Sequence, residues 1–196
     1  MSKTVEFFFD YSSPYSYLAS TQIEAIAQRT SAELRWRPFL LGAVFKATGN
    51  ISPAANLYKA RHLFKDLLDW TRHYGLPDFK LPEGFPSNSV KADRLGLVAQ
   101  ERGKLPQFTH ALYRAVFAEG RNLSDVEVLS AVLDRVGLSP SDALMRAEAQ
   151  EIKDLLRKNT DQAVERGAFG APTFFVGEDM YLGNDRLIFV ERALRS

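Results

Sequence analysis

The residues best suited to chemistry lie in the segment 10–17, DYSSPYSY. Ser13 followed by Pro14 indicates a helix start, because serine satisfies a free N–H group and proline at the first helical position loses no needed hydrogen bond. The free N–H groups and partial positive charge of a helix N-terminus favour an anion, and a thiolate is such an anion. Two roles fit Ser13: a helix cap alone, or a cap that also presents its hydroxyl to a bound thiolate.

The segment 170–173, GAPT, directly precedes an apolar stretch and is a second candidate. If the topology places Pro172 beside the N-terminus of the first helix, the backbone of Ala171 can pair with a peptide-like ligand in a β-bridge. The alternative is a loop that only leads into a strand. The residues alone leave both interpretations open.

Two further segments carry polar groups that suit a ligand. Asn184 or Asp185 would cap a predicted last helix; alternatively, Asp185 binds an ammonium group while free N–H groups bind a carboxylate. A γ-glutamyl group carries both of these charges. Residues 39–50, which we predict to form a loop after a strand, begin apolar and continue to Lys46 and Asn50, so this loop is either a pocket wall or a buried linker with a solvated end.

Several kinds of site are excluded or disfavoured. The chain has no cysteine, which excludes disulfides, thiolate metal ligands and a cysteine nucleophile. His62, His73 and His110 lack metal-ligand spacing, so we interpret them as surface or core-edge residues and expect no metal site. There is no Gly-x-Ser-x-Gly motif, and the segment 167–170 lacks the Lys-Ser/Thr pair of a phosphate-binding loop.

The length, charge and composition of the chain limit the classes of partner that we expect. The 196 residues suit one domain, or a small domain with a second one inserted. Lys and Arg together number 25 against 24 Asp and Glu, and the net charge of +1 gives no electrostatic case for nucleic acid or an anionic membrane. No apolar run approaches the roughly 20 residues of a transmembrane helix, and the first residues do not resemble a secretory signal. We therefore expect a cytoplasmic protein.

The elements that must position the candidate residues begin with a strand, a helix and a strand. Residues 4–10 are apolar and rich in strand-forming side chains, and apolar side chains recur on one face of a helix over residues 14–29. Residues 33–39 alternate in polarity, as in a second strand. This order so early in the chain predicts a parallel βαβ unit.

The middle of the chain is helical. Five segments have helical patterning: residues 56–74, 88–102, 106–119, 125–136 and 141–167. Ser124 and Glu127 have the spacing of a capping box, and Ser139 before Pro140 is a second start signal.

After Gly170 the strand pattern returns. Residues 172–176 and 180–182 predict a hairpin, and residues 185–194 a last helix. The whole predicts an α/β fold: a thioredoxin-like βαβ–ββα domain, formed by residues 1–40 and 168–196, with an inserted all-helical domain over residues 41–167.

Taken together, four segments resemble the family of kappa-class glutathione transferases and 2-hydroxychromene-2-carboxylate isomerases. They are residues 9–19, 45–50, 167–176 and 183–187. The resemblance runs nearly end to end and is closer to the bacterial isomerases than to the mitochondrial transferases. It implies an insertion like that of bacterial disulfide oxidoreductases, with Ser-Pro-Tyr where those enzymes have a cysteine pair. It also implies a homodimer.

The resemblance implies glutathione as cofactor and Ser13 as the catalytic residue. The glutathione-binding residues would be Ser13, Pro14, Tyr15, Asn50, Lys59, Ala171, Pro172, Asn184 and Asp185. Lys59 matches a family lysine that meets the glycyl carboxylate, although the sequence just before it departs from the family pattern. For the carboxylate or phenolate region of the substrate, our candidates are Lys46 and Asn50.

The physical chemistry agrees with this role for Ser13. A free thiol has a pKa of about 8.5, so only a few per cent is thiolate at pH 7. Lowering that pKa by about two units requires roughly 2.7 kcal/mol of preference for the anion. A helix N-terminus together with a hydroxyl hydrogen bond to sulfur can supply this. Ser13 would stabilise the thiolate and attack nothing itself.

The resulting hypothesis is a glutathione-dependent isomerase. It would interconvert 2-hydroxychromene-2-carboxylate and trans-o-hydroxybenzylidenepyruvate by reversible thiol addition, in naphthalene-type aromatic catabolism. Its partner would be a small aromatic molecule. Two alternatives remain: a kappa-type glutathione transferase or peroxidase acting on other electrophiles, and a non-catalytic glutathione-binding module.

Overall fold

The computed structural model describes residues 3–76, 78–82 and 84–195. Within them a four-stranded sheet consists of β1 (Thr4–Phe9), β2 (Glu33–Pro38), β3 (Thr173–Val176) and β4 (Asp179–Leu182). The strand order is β2-β1-β3-β4. β1 is parallel to β2 and antiparallel to β3, which is antiparallel to β4. The predicted parallel unit and C-terminal hairpin are confirmed.

Helices occupy most of the remaining described chain. They are α1 (Pro14–Arg29), α2 (Leu41–Thr48), α3 (Leu57–His73), α4 (Val90–Glu101), α5 (Leu105–Phe117), α6 (Val126–Arg135), α7 (Pro140–Ala147), α8 (Gln150–Glu165) and α9 (Leu187–Arg195). Short 3-10 turns span Pro53–Ala55 and Asn184–Arg186. α1 buries the face that the sequence predicts, including Leu18, Ala19, Ile23, Ile26 and Ala27. Helices α2–α8 lie between the strand pairs in sequence, which confirms the thioredoxin-like α/β class with a helical insert.

The prediction of a loop over residues 39–50 is wrong, because α2 forms there. Its N-cap residue, Leu40, makes no side-chain capping bond. Instead, the N–H of Leu41 donates to Asp10 Oδ2 at 2.7 Å. A carboxylate from another segment therefore satisfies the first turn and complements its partial positive charge. Gly49 ends the helix with φ at 72°, which favours glycine.

The single long helix predicted over residues 141–167 is two helices, α7 and α8. They are separated at Glu148 and Ala149, and neither glycine nor proline marks this break. The start of α7 agrees with its prediction, since Ser139 Oγ accepts the Asp142 N–H at 3.4 Å.

The start of α6 differs from the predicted capping box. Asp125, not Ser124, is the cap, and its carboxylate accepts the Glu127 N–H at 2.8 Å. Ser124 Oγ donates instead to the carbonyl of Asn88 at 3.2 Å. The cap is therefore one residue later than the pattern predicts, and Ser124 fixes the segment that precedes α4.

The core joins the sheet to the helices through aromatic side chains. Phe7 on β1 stacks on Phe174 of β3 with ring centroids 5.0 Å apart. Beyond the strand, Tyr11 contacts Phe9 at 5.4 Å and Tyr113 of α5 at 5.2 Å. One continuous buried cluster includes residues of the sheet and of helices from both parts of the sequence. The domain boundaries at 40/41 and 167/168 stay a prediction.

Candidate active site

The N-terminus of α1 places Ser13 between two segments. Its Oγ accepts the Ser16 N–H at 3.2 Å, which confirms the predicted cap. The same hydroxyl donates to the carbonyl of Ala171 at 3.3 Å, and Ser13 is only 3% exposed. The serine thus lies next to the second candidate segment, 158 residues away in sequence.

The segment 170–173 is fixed on both sides. The Ala171–Pro172 peptide bond is cis. The carbonyl of Pro172 accepts the Gly183 N–H at 2.9 Å, and Thr173 Oγ1 donates to the carbonyl of Gly170 at 2.8 Å. Three segments that are distant in the sequence therefore meet here: the start of α1, the entry to β3 and the end of β4.

Asp10 is the buried carboxylate that organises the turn before Ser13. Its Oδ1 accepts the N–H and the hydroxyl of Ser12, each at 2.7 Å, and its Oδ2 accepts the N–H of Leu41. Its backbone carbonyl accepts the N–H of Ser13 at 3.0 Å and the Tyr113 hydroxyl at 3.0 Å. Burial raises the pKa of this carboxyl, and the bonds from Ser12 and Leu41 offset part of that shift. One residue thus sets the positions of the serine turn and of α2.

Asp93 of α4 is a second buried carboxylate in the same region. Its Oδ1 accepts the N–H of Tyr11 at 3.3 Å, and its Oδ2 has no hydrogen-bond partner among the described residues. Burial, and then the charge of Asp10, raise the pKa of Asp93 well above its usual range. The Ser89 hydroxyl and the Tyr11 N–H favour the charged form and oppose this shift only in part. The folded protein therefore favours a protonated Asp93.

We expect Asp93→Asn to flatten the dependence of stability on pH. Because the folded pKa of Asp93 is raised, its folded form retains a proton that the unfolded chain releases above about pH 4. The wild type therefore loses about 1.4 kcal/mol of stability for each pH unit between there and the folded pKa. Asparagine does not ionise, so the variant should gain stability relative to wild type between pH 5 and pH 8. Urea unfolding at both pH values measures this, and an unchanged difference would contradict the assignment.

The turn after β4 presents Asn184 and Asp185. Gly183 has φ at 100°, and a Cβ there would lie 2.5 Å from Asp185 Oδ1, so the position requires glycine. The 3-10 turn that follows has no side-chain capping bond. Asp185 Oδ2 accepts from Arg186 at 2.7 Å, whereas the buried Nδ2 of Asn184 has no partner within the described chain. Capping therefore does not account for either side chain.

These segments surround a cleft of about 1120 Å³. The predicted site residues that line it are Ser13, Pro14, Tyr15, Asn50, Ala171, Asn184 and Asp185. Apolar side chains complete much of the wall, among them Leu40, Leu41, Phe45, Phe85 and Phe169. Pockets for one small ligand usually have roughly 300–1,000 Å³, so this cleft is slightly larger than that range.

Three predicted residues are not among the lining residues. Lys46 is exposed in the last turn of α2, and Lys59 is exposed in the first turn of α3. Pro172 is buried beside Ala171. No contact in the structure tests the ligand roles of these three residues, which stay predictions.

Asn50 lines the cleft and also connects two of its loops. Its Nδ2 donates to the carbonyl of Phe169 at 2.9 Å, and its Oδ1 accepts the Ile51 N–H at 2.9 Å. A side-chain amide has a second N–H and a second lone pair, so these bonds leave capacity for a ligand. A role of Asn50 in binding is therefore compatible with its position.

Sequence reasoning missed the part of the cleft that α3 provides. His62, Asp66 and Trp70 line it at intervals of four residues. Asp66 Oδ2 accepts the Tyr15 hydroxyl at 2.6 Å, which links α3 to the start of α1. Burial, followed by Asp66, raises the pKa of Tyr15. The helical spacing is visible in the sequence, but nothing in it indicates that this face meets Tyr15.

Two other features bear on the class of protein. Among the described residues, no cluster of three or more His, Cys, Asp or Glu side chains is arranged to hold a metal ion. No helix in the described ranges is both long enough and apolar enough to cross a membrane.

Comparisons with known proteins agree with the fold. Residues 4–195 match the model of the DSBA-like thioredoxin domain. A 2-hydroxychromene-2-carboxylate isomerase of Sphingobium xenophagum is 33% identical, with 99% of each chain covered. Glutathione S-transferase kappa 2 of Caenorhabditis elegans is 28% identical, over 94% of this chain and 88% of the relative.

A solved structure extends the likeness to the tertiary level. A selenomethionine 2-hydroxychromene-2-carboxylate isomerase superposes with a TM-score of 0.89 at 28% identity, covering 97% of this chain and 94% of the other. Full-length likeness therefore holds in sequence and in fold. The chain belongs to the DsbA-like thioredoxin domain family, in the enzyme group of the 2-hydroxychromene-2-carboxylate isomerases and kappa-class glutathione transferases.

Proposed function

We propose that this protein is a glutathione-dependent isomerase that interconverts 2-hydroxychromene-2-carboxylate and trans-o-hydroxybenzylidenepyruvate. The observation that carries the proposal is Ser13. Its hydroxyl lies at the N-terminus of α1, within hydrogen-bond distance of the Ala171 carbonyl, at the wall of a large cleft in a chain without cysteine. The isomerase relatives support the substrate pair, and the kappa-class relatives support glutathione.

The residues present fit glutathione. The buried Nδ2 of Asn184 faces no protein acceptor within the described chain, so it is free to bind a ligand carbonyl or carboxylate. Asp185, although bonded to Arg186, would accept from the ammonium of the γ-glutamyl group. The backbone of Ala171, next to Ser13, would pair with the peptide part. These groups lie along one cleft, as a tripeptide requires.

The chain's own groups favour an anion beside Ser13. The Ser16 N–H donates to Ser13 Oγ and the Ser13 N–H donates to the carbonyl of Asp10, so the first turn of α1 is fixed with the positive end of the helix dipole at the cleft. The apolar side chains of Leu40, Leu41 and Phe45 keep water from much of the wall, which strengthens these interactions. When bound, glutathione would supply a thiolate that adds reversibly to a conjugated carbon of the substrate.

Three further parts of the proposal concern the whole protein. The homodimer and a place in naphthalene-type aromatic catabolism come from the family resemblance, and the cytoplasmic location is the expectation from the sequence. Lys59 remains our candidate for the glycyl carboxylate, and Lys46 and Asn50 remain candidates for the substrate. Each of these needs its own experiment.

The proposal is tested with purified protein and the two aromatic compounds. We expect their interconversion, followed by absorbance, to require added glutathione and to leave the glutathione concentration unchanged. Conversion of a generic aryl halide or hydroperoxide without activity on the chromene would instead favour a kappa-type transferase or peroxidase. Tight glutathione binding with neither activity would identify a binding module and overturn the proposal.

A further inference from the structure

One face of α3 forms a part of the cleft that the glutathione candidates do not use. His62, Asp66 and Trp70 lie four residues apart, so their side chains follow one another along the helix at intervals of about 6 Å. On the adjacent face, Leu63 and Leu67 are buried in a cluster with Leu18 of α1. This packing fixes the helix, and the Tyr15–Asp66 hydrogen bond sets its position relative to the start of α1.

Four acidic or basic side chains line the cleft within the described residues: His62, Asp66, Asp185 and Arg186. Arg186 is bonded to Asp185 at 2.7 Å, and Asp66 accepts the Tyr15 hydroxyl. His62, in contrast, has no hydrogen bond or ion pair to any part of the chain that the structure describes. An imidazole can donate a hydrogen bond to a carboxylate in either protonation state.

Beyond Asp66, the lining suits a flat apolar group. Trp70 lies two turns from His62 on the same face of α3 and contributes an aromatic surface. Phe85, Pro86 and Val90, from the segment before α4 and its first residue, complete this part of the lining. Trp70 and Phe85 also pack on the same small buried cluster, so both are anchored. Aromatic rings stack favourably on such surfaces.

We propose that His62 binds the carboxylate of a planar aromatic acid whose ring lies against Trp70 and Phe85. The inference deepens the proposed isomerase function and rests on it for the identity of the acid. The glycyl carboxylate of glutathione is a competing source of the same charge. The aromatic acid is favoured because Trp70 and Phe85 pack on the cluster of Leu63, the neighbour of His62, whereas the peptide candidates that line the cleft lie in the segments around Ser13, Asn50, Ala171 and Asn184. Lys59, the candidate for the glycyl carboxylate three residues before His62, does not line the cleft.

His62 would then select for the acid in place of Lys46, the residue predicted from the sequence. Lys46, the candidate from the sequence for the substrate's carboxylate, does not line the cleft. His62 does line it, and Asp66, four residues further along α3, is bonded directly to Tyr15 at the start of α1. His62 is therefore the better placed of these two hydrogen-bond donors for an acid bound close to Ser13. A neutral ester of the same ring should lose this interaction and keep the apolar contacts.

Calorimetric titration with trans-2-hydroxycinnamate and its methyl ester, in the absence of glutathione, tests the inference. We expect wild type to bind the acid about fivefold more tightly than the ester, as for one exposed hydrogen bond to a charged group. His62→Ala, which removes the donor, should abolish that difference and leave glutathione binding unchanged. His110→Ala, the same substitution outside the cleft lining, should bind both compounds as wild type does.

Each other result counts against the inference. Equal binding of acid and ester by wild type would overturn it, as would His62→Ala binding the acid as tightly as wild type. A loss of glutathione affinity in His62→Ala, with acid binding intact, would assign the histidine to the glycyl carboxylate instead. His62 is exposed, so the substitution should leave the thermal midpoint unchanged. If the isomerase assay fails but the acid still binds through His62, the proposed function fails and this site stands.

Discussion

Ser13→Ala is expected to lower the glutathione-dependent isomerisation rate at pH 7 by about 10- to 100-fold. A hydrogen bond to a charged group contributes about 1.5–3 kcal/mol, and each 1.4 kcal/mol is a factor of ten in rate. The variant keeps the N-terminal N–H groups of α1, so part of the preference for an anion should remain. The pKa of the bound thiol should accordingly rise towards its free value without reaching it.

The thiolate absorbance of bound glutathione across pH measures this directly, together with the rate. Ser20→Ala is the matched control, because Ser20 is buried in the same helix and its hydroxyl donates only to the carbonyl of Tyr17 at 2.7 Å. The control should have the wild-type pKa and rate. If wild-type protein does not depress the thiol pKa, Ser13 is a helix cap alone and the enzyme proposal loses its physical basis.

Asp10→Ala is expected to destabilise the protein by about 3 kcal/mol and to abolish activity. The substitution removes the acceptor for the N–H groups of Ser12 and Leu41, and an unsatisfied buried donor costs about 1–3 kcal/mol. Removing the charge of Asp10 also eases ionisation of Asp93, which opposes part of this loss. We expect this effect to be the smaller one, because burial is the main cause of the raised pKa of Asp93.

Urea unfolding near pH 6 measures the effect of Asp10→Ala. Asp125→Ala removes a carboxylate that caps α6 with a single bond, and it should cost only about 1 kcal/mol. A similar small loss in both variants would show that Asp10 is an ordinary cap and does not organise the turn before Ser13. Glutathione binding should be impaired in the first variant and retained in the second.

Local signals predict most of the fold because they are strong. Ser13 with Pro14 and Ser139 with Pro140 start helices where the patterns indicate, and alternating or apolar runs give the strands. The helix α2 escapes prediction because its stabilising group is distant. Leu40 offers no cap, and the carboxylate that replaces it belongs to Asp10 at the end of β1.

The candidate site is predictable only where its groups lie in short motifs. The segments around Ser13, Ala171 and Asn184 are readable because backbone turns impose particular residue types. Asp93 and His62 are not, since each lies within a helix and has its importance only through residues from elsewhere in the chain. In the sequence, a buried acid and a histidine in a cleft look the same as residues on a solvated helix face.

Aromatic contacts join β1 and the residues after it to α5 of the helical insert. Phe9 and Tyr11 pack on Tyr113, and the Tyr113 hydroxyl bonds to the carbonyl of Asp10. The helical insert therefore cannot be deleted without loss of structure. Its removal would expose the rings of Phe9 and Tyr11 and release the backbone that precedes Ser13, so a chain shortened in this way would lose both the core and the site.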